Sequence, residues 1–444
     1  MIMKKLNTIL TLVIILAVTA TTWADEGPKT EEFEVNGLKI ILRSSVKGTV
    51  SARLFVQGGT SNYSREKEGI ESLALSLVMS SGPDGMTKTE FDAASEKVGA
   101  NLNASAGYDY SNLSLNCVNM YWDESWKLFS DAITNPAFRQ DEFDILQQRL
   151  VTAAKQSATN PDAQLNKLSM THTWEGTDYA KDPSGTPESL DSISLEEAKA
   201  HYNQIITRKN TFLVVVGNIS KDDLTKKVEN SLAKLPEGSA PGEIYAGDQV
   251  DEGIFVEDRD IETNYITGVF SAPQKGTDES TYNSLAMSIL GDRFFEELRT
   301  KRSLSYAPQA YATGRMARPQ NKVYISTTDP KASLEVMVDE LNKVKTEGFE
   351  KKELEGKKQE YLTGYFMGQQ TNSSISMSLG ITEMNGGWEQ MDTFTSRVLD
   401  TKLEDVNSVM QNYGDKIYWT YLGKEELVQP EYFKQPVKPE KMKK

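Results

Sequence analysis

The sequence predicts an α+β fold of two homologous domains, each a mostly antiparallel sheet with helices packed on one face, set against each other as a clamshell. Three observations predict it. Apolar runs of strand length alternate irregularly with helical periodicities, the pattern of sheets with helices segregated to a face. A motif of the first half returns in the second: Leu195-Glu196-Glu197-Ala198, a helix and a strand ending at Gly217 are echoed by Leu403-Glu404-Asp405-Val406, a helix and a strand ending at Gly423. Self-similarity on that scale marks a duplicated unit. Between the copies, Pro236-Glu237-Gly238-Ser239-Ala240-Pro241-Gly242 concentrates Pro and Gly as a linker does.

Residues 1–24 read as a secretory signal peptide: Lys4 and Lys5 form a charged start, Ile9 to Ala17 is apolar, and Thr22-Trp23-Ala24 places small residues where a signal peptidase reads. Asp25 would follow the cut, where a lipoprotein anchor requires Cys. The expected location is therefore exported, periplasmic in a double-membraned bacterium. The apolar stretch falls short of the roughly 20 residues of a membrane span. No later segment looks transmembrane, and no integral membrane association is expected after cleavage. Residues 25–235 form the first predicted domain, 236–249 the linker, 250–435 the second domain and 436–444 a basic tail.

Within the first domain, Phe33 to Leu42 reads as a strand pair turning at Gly37, Ala52 to Gln57 as a further strand, and Phe212-Leu213-Val214-Val215-Val216-Gly217 as a buried strand. A helix is expected from Lys221 to Leu235. The second domain restarts with strands at Gly253 to Val256 and Tyr265 to Phe270, followed by a helix around Tyr282 to Arg302.

Composition narrows the function. The chain has 444 residues and a formal net charge of −15, an acidity that repels phosphate backbones, so nucleic acid is excluded as a partner. A lone cysteine, Cys117, forms no intramolecular disulfide, and its place in the alternating run Leu113 to Val118 assigns it to the core. Two histidines, His172 and His201, stand 29 residues apart in the sequence. His172-Thr173-Trp174-Glu175 half-matches an inverted zinc motif, but Gly176 stands where the second histidine is needed. Both histidines are read as structural.

The helix beginning at Gly69 presents Ile70, Leu73, Ala74, Leu77 and Val78 on one apolar face. Here a resemblance appears. Ser64-Arg65-Glu66, Gly69-Ile70, Gly99-Ala100-Asn101-Leu102-Asn103-Ala104, Gly185-Thr186-Pro187-Glu188-Ser189-Leu190, Val215-Val216-Gly217-Asn218 and the segment Glu297 to Tyr306 together resemble the insulinase/pitrilysin-type (inverzincin) zinc peptidases, including processing-peptidase subunits. In that family the helix carries His-x-x-Glu-His, two imidazoles one turn apart for zinc and a carboxylate to activate water. Aligned on Gly69-Ile70, those positions hold Ser72, Leu75 and Ser76. The family's third ligand, a glutamate, falls at Ala153-Ala154-Lys155. The resemblance thus implies a degenerate motif, with no metal or other cofactor in this chain.

The second half matches the family where an arginine and a tyrosine seven positions apart face the zinc. Arg299 and Tyr306 occupy those places. A guanidinium and a phenol suit a peptide carbonyl that gains negative charge. Read on spacing alone, Arg299 would pair with a glutamate one turn away and Tyr306 would pack as a strand aromatic. Leu102, Asn103, Ala104 and Ser105 resemble the family's edge strand, against which an extended peptide pairs through main-chain hydrogen bonds; a plain sheet strand is the other reading. Gly386-Gly387 is a turn signal only.

The resemblance implies a non-catalytic subunit of an exported heteromeric zinc metallopeptidase, without peptidase activity alone. The subunit would bind peptide substrates and offer Arg299 and Tyr306 in trans to a homologous partner subunit that carries zinc. The alternative is a catalytically inert peptide-binding or assembly scaffold of the same fold.

Overall fold

The computed structural model describes residues 29–242 and 249–434. The signal-peptide segment, linker residues 243–248 and the basic tail lie outside the described residues. Strands β1 (Thr30–Val35), β2 (Leu38–Ser44), β3 (Thr49–Gln57), β4 (Asn101–Ala106), β5 (Tyr110–Val118) and β6 (Thr211–Gly217) form the first sheet, in the order β1-β2-β6-β3-β5-β4. Strands β7 (Gly253–Asp258), β8 (Asn264–Ser271), β9 (Gln309–Ala312), β10 (Gln320–Thr327) and β11 (Tyr418–Gly423) form the second, in the order β7-β11-β8-β10-β9. Without β1 the two orders coincide strand for strand. The equivalence extends to direction, because β2 with β6 and β7 with β11 are parallel while the other described pairs are antiparallel. The duplicated α+β architecture follows from this equivalence, and the two halves close on each other as the shells of a clamshell.

Local chemistry accounts for the elements. Asn36 and Gly37 both have positive φ, 49° and 82°, and join β1 to β2 through the two-residue turn whose twist suits a hairpin. The expected helix from Lys221 to Leu235 ends at Asn230 and passes into a tighter turn over Leu232–Lys234. The helix expected to reach Arg302 runs Asp278–Phe294 and then widens into a π turn, Phe295–Thr300.

Each sheet buries two faces. On one face of the first, Leu54, Val56, Leu113, Leu115, Leu213 and Val215 pack with Leu73, Leu77, Phe129 and Tyr202 of that half's own helices. The alternate residues Phe55, Phe212, Val214 and Val216 point the other way and meet Ile375, Leu379 and Met391 from the second half. The helix Asn372–Met384 thus lies across β3 and β6. Its fit depends on Gly380, where an added Cβ would stand 2.1 Å from the Phe55 ring. That ring is already stacked on Phe212 at 5.0 Å. Arg53 donates to Ser376 at 3.0 Å and to Ser373 at 2.9 Å from the sheet side.

The exchange is reciprocal. The first half's helix Pro161–Thr173 lies across β8 and β11 of the second sheet. The Trp174 indole donates to Gln320 at 2.6 Å, and the Asp109 carboxylate accepts the main-chain N–H groups of Met316 and Ala317 at 3.2 and 3.0 Å. His172 stacks on Phe255 with ring centroids 3.6 Å apart. Lys322 Nζ donates to Asn166 at 2.8 Å, and burial, with Arg315 acting in the same sense, pulls the Lys322 ammonium down to about 8.

Two expectations follow. Gly380→Val should lower the urea midpoint by about 1–3 kcal/mol of stability through overpacking against Phe55, with Phe55→Leu in the same chain recovering part of it; an unchanged midpoint would show that the helix can shift freely. For Lys322, the folded state holds its proton less tightly than the unfolded chain, whose value is roughly 10.4. Between about pH 8 and about pH 10.4 the unfolded state therefore binds more protons, and stability rises with pH. Relative to Lys322→Met, the native chain should gain on the order of 3 kcal/mol across that window, read by urea unfolding at each pH.

Candidate functional site

The helix that carries the degenerate motif, Ile70–Ser81, begins at a tight crossing of two glycine backbones. Gly69 (φ 86°) and Gly185 (φ 83°) approach so closely that a Cβ on Gly69 would lie 2.8 Å from Gly185 Cα. The Ser189 hydroxyl, in the short helix Pro187–Asp191, donates to the Glu68 carbonyl at 2.8 Å and ties the two segments together. The family-like stretches around Gly69 and Gly185 are therefore one structural joint.

Beyond the joint, Leu75 is fully buried, while Ser72 and Ser76 are half-buried. Ser72 lines a cavity of about 390 Å³, and Ala153 and Ala154 of the helix Gln140–Thr159 form part of the facing wall. The structure thus brings the first motif position and the stretch matching the third ligand to one cavity. Lys167 and Asp182 also line it, 3.8 Å apart, and burial raises the Asp182 carboxyl above its ordinary value. These residues do not fit zinc: the motif supplies two hydroxyls and an aliphatic chain, and the facing wall supplies methyl groups. Among the described residues no group of three or more His, Cys, Asp or Glu could hold a metal ion.

One residue before Ser72 lies a buried polar centre that sequence reasoning missed. Glu71 has no exposed surface; its carboxylate accepts from Asn62 at 3.0 Å and from the Ser111 hydroxyl, and lies 3.2 Å from His201 Nε2. Tyr63 meets the His201 ring edge-on at 5.9 Å. The centre fastens the motif helix to β5 and to the helix Leu195–Ile205. A glutamate as the single charged residue of the helix is its one signal in the sequence.

Leu102, Asn103, Ala104 and Ser105 lie in β4, which is an edge of the first sheet, and the motif helix packs beside it. Asn103 and Ser105 point to solvent, whereas Leu102 and Ala104 rest on the core. The free main-chain side of β4 is geometrically able to receive an extended peptide.

Arg299 and Tyr306 come together. The Arg299 guanidinium lies over the Tyr306 ring at 4.3 Å and over the Phe295 ring at 4.7 Å. Neither Arg299 nor Tyr306 lines the cavity beside Ser72. Nor does either follow the reading from spacing alone: Glu296, one turn before Arg299, lies 3.9 Å from Lys301 instead, and Tyr306 sits in the loop before β9 with 79% of its surface exposed. Ser303, with φ 54°, turns the chain so that Leu304 N–H donates to the Leu298 carbonyl at 2.7 Å, which returns Tyr306 over Arg299.

The family model of insulinase (peptidase family M16) matches residues 39–186, and that of the peptidase M16 inactive domain matches residues 192–361. Together they take in more than half of the chain. The chain belongs to the insulinase family. Its relatives include the "Non-peptidase homolog YmxG" of Helicobacter pylori, 24% identical over 57% of this chain and 60% of that protein. The "Zinc protease PqqE" of the same organism is 24% identical over 48% of this chain and 50% of that protein. The chain thus matches between half and two thirds of the length of these two relatives. Among solved structures, a peptidase M16 inactive domain from Pseudomonas fluorescens superposes with a TM-score of 0.83 at 20% identity, covering 89% of this chain and 98% of that one. Within the insulinase family this chain is an inactive-type homologue of the zinc proteases, with Ser72, Leu75 and Ser76 at the positions of the zinc motif.

Removing the Glu71 carboxylate should be costly, because Asn62, Ser111 and His201 lose a shared acceptor. Glu71→Ala is expected to lower stability by about 2–4 kcal/mol and Glu71→Gln by less, in urea unfolding at neutral pH; equal, negligible losses would mean that the centre is not structural.

Proposed function

We propose that this chain is the non-catalytic subunit of an exported, periplasmic, heteromeric zinc metallopeptidase. It pairs with a homologous subunit that carries the intact zinc motif, holds peptide along β4, and presents Arg299 and Tyr306 to the carbonyl that the partner attacks. The observation that carries this reading is a contrast within one chain. The metal positions are filled by Ser72, Leu75 and Ser76, with Ser72 facing Ala153 and Ala154 across a cavity, while Arg299 and Tyr306 stand together with the Tyr306 ring exposed. Further support comes from the two relatives of one organism, one named a non-peptidase homolog and the other a zinc protease.

The chemistry assigned to each residue is limited. A guanidinium contributes permanent positive charge and directional N–H donors, and a phenol contributes one further donor, so both stabilise oxygen as it becomes anionic. Main-chain pairing along β4 holds the peptide extended with little demand on its sequence. Metal chemistry and water activation belong to the partner.

The test begins with affinity purification of the tagged chain from its native envelope fraction and mass-spectrometric identification of stoichiometric partners. A homologous chain with an intact His-x-x-Glu-His is expected; recovery of the chain alone, or of unrelated proteins, favours the scaffold reading. In the purified pair, Arg299→Ala should reduce peptide turnover about 100-fold while leaving assembly intact, and unchanged turnover would remove Arg299 from the mechanism.

A further inference from the structure

We infer that Phe295 is a positioning residue: with Tyr306 it clamps the Arg299 guanidinium from two sides and thereby sets the direction in which its N–H groups meet a peptide oxygen. The inference rests on the proposed use of Arg299 and adds a residue to which the sequence alone assigns no role.

The argument starts from exposure. Phe295 keeps 45% of its surface exposed and Tyr306 keeps 79%, so neither ring belongs to the core, and burial of apolar area does not explain where the Tyr306 ring lies. What the two rings share is Arg299, over which they stand at 4.7 and 4.3 Å. Distances of this order are attractive between a cation and a ring face. Among the described residues no carboxylate pairs with Arg299; Glu297 is engaged by Lys301 at 2.6 Å and by Arg302. The guanidinium is therefore held by its neighbouring rings, and its donors are not consumed by a salt bridge.

The backbone is shaped to the same end. Phe295 and Arg299 are the first and fifth residues of the π turn Phe295–Thr300. Such turns interrupt α-helices mostly as single-turn irregularities and recur at functional sites. At the far end, Ser303 takes up a left-handed backbone, and its N–H donates to the Arg299 carbonyl at 3.1 Å. The turn and the return loop thus act from opposite ends on one side chain. A freely rotating arginine meets a carbonyl in many orientations, whereas one flanked by two rings is oriented before the peptide arrives.

The clamp is tested first in the chain itself. Side-chain resonances of Arg299, assigned by their loss in Arg299→Lys, should lie upfield under the shielding of both rings; Phe295→Leu should move them toward the ordinary position, and Phe295→Tyr should restore them. Resonances indifferent to Phe295→Leu would overturn the inference. In the assembled pair, Phe295→Leu should lower turnover about two- to five-fold, through the same kinetic constant that Arg299→Ala changes. Added to Arg299→Ala, it should have no further effect, and Phe295→Tyr should recover activity. An effect that persists in the Arg299→Ala background assigns Phe295 a structural role and also overturns the inference. If Arg299→Ala alone is silent, the reading of Arg299 in catalysis fails, while the resonance experiment still decides whether Phe295 orients it.

Discussion

Neither sheet of this protein is closed by its own half. A sheet with helices on one side must either leave the other side polar and wet or cover it, and β6 excludes the first option because every residue from Thr211 to Gly217 is buried. The cover comes from the opposite half: helix Asn372–Met384 on the first sheet and helix Pro161–Thr173 on the second. This mutual dependence sets the relation between the halves. It also places the candidate site, because the helix that covers the second sheet contributes Asn166 and Lys167 to the wall of the cavity beside Ser72. Both crossings join shape to directed hydrogen bonds: Gly380 against Phe55 with Arg53 on Ser373 and Ser376 at the first, and Trp174, Asp109 and Lys322 at the second. Shape tolerates sliding poorly, and hydrogen bonds are lost one at a time.

Much of this architecture is legible in the order of the amino acids. The echo between Leu195 to Gly217 and Leu403 to Gly423 anticipates the equivalent helices and strands β6 and β11, whereas the parallel partner of each strand is visible only in the sheets. Hydrophobic periodicity locates the motif helix, and the alternating run ending at Val118 places Cys117 in the core. The exchange of helices is less legible. The continuous run Phe212 to Val216 announces a strand buried on both faces, but which residues cover the second face is a long-range fact that periodicity does not carry. Helix Asn372–Met384 offers a small-residue surface of Ser373, Ser376 and Gly380, and that surface gains its meaning from Arg53 and the ring of Phe55, far away in the sequence.

The same division runs through the candidate site. That Ser72, Leu75 and Ser76 cannot ligate zinc is a matter of side-chain chemistry alone. The buried centre at Glu71 escapes sequence reasoning because its partners Asn62, Ser111 and His201 are scattered along the chain and meet only in the fold. The Arg299 and Tyr306 pair is found by resemblance, yet spacing alone suggests the wrong neighbours. A helix expected to end around Arg302 and a strand aromatic at Tyr306 would part the two side chains, and the π turn with the reversal at Ser303 brings them together instead.

Where the molecule keeps unfavourable features is then informative. A metal site is a concentration of groups that resist burial, and replacing them with serine, leucine and alanine removes that burden from the motif helix. Leu75, fully buried, now serves the core. The segment from Phe295 to Tyr306 is of another kind: it carries two exposed aromatic rings and a widened helical turn, neither of which adds to a core. Each described non-glycine residue with positive φ has a local explanation: Asn36 in its hairpin turn, Phe138 through its ring packed edge-on to Tyr202 at 5.4 Å, and Ser303 as the left-handed residue that closes the end of the helix, its N–H donating to the Arg299 carbonyl. Two exposed rings kept around a half-buried cation, while Leu75 at the motif position lies in the core, argue that the two segments of this chain are held to different requirements.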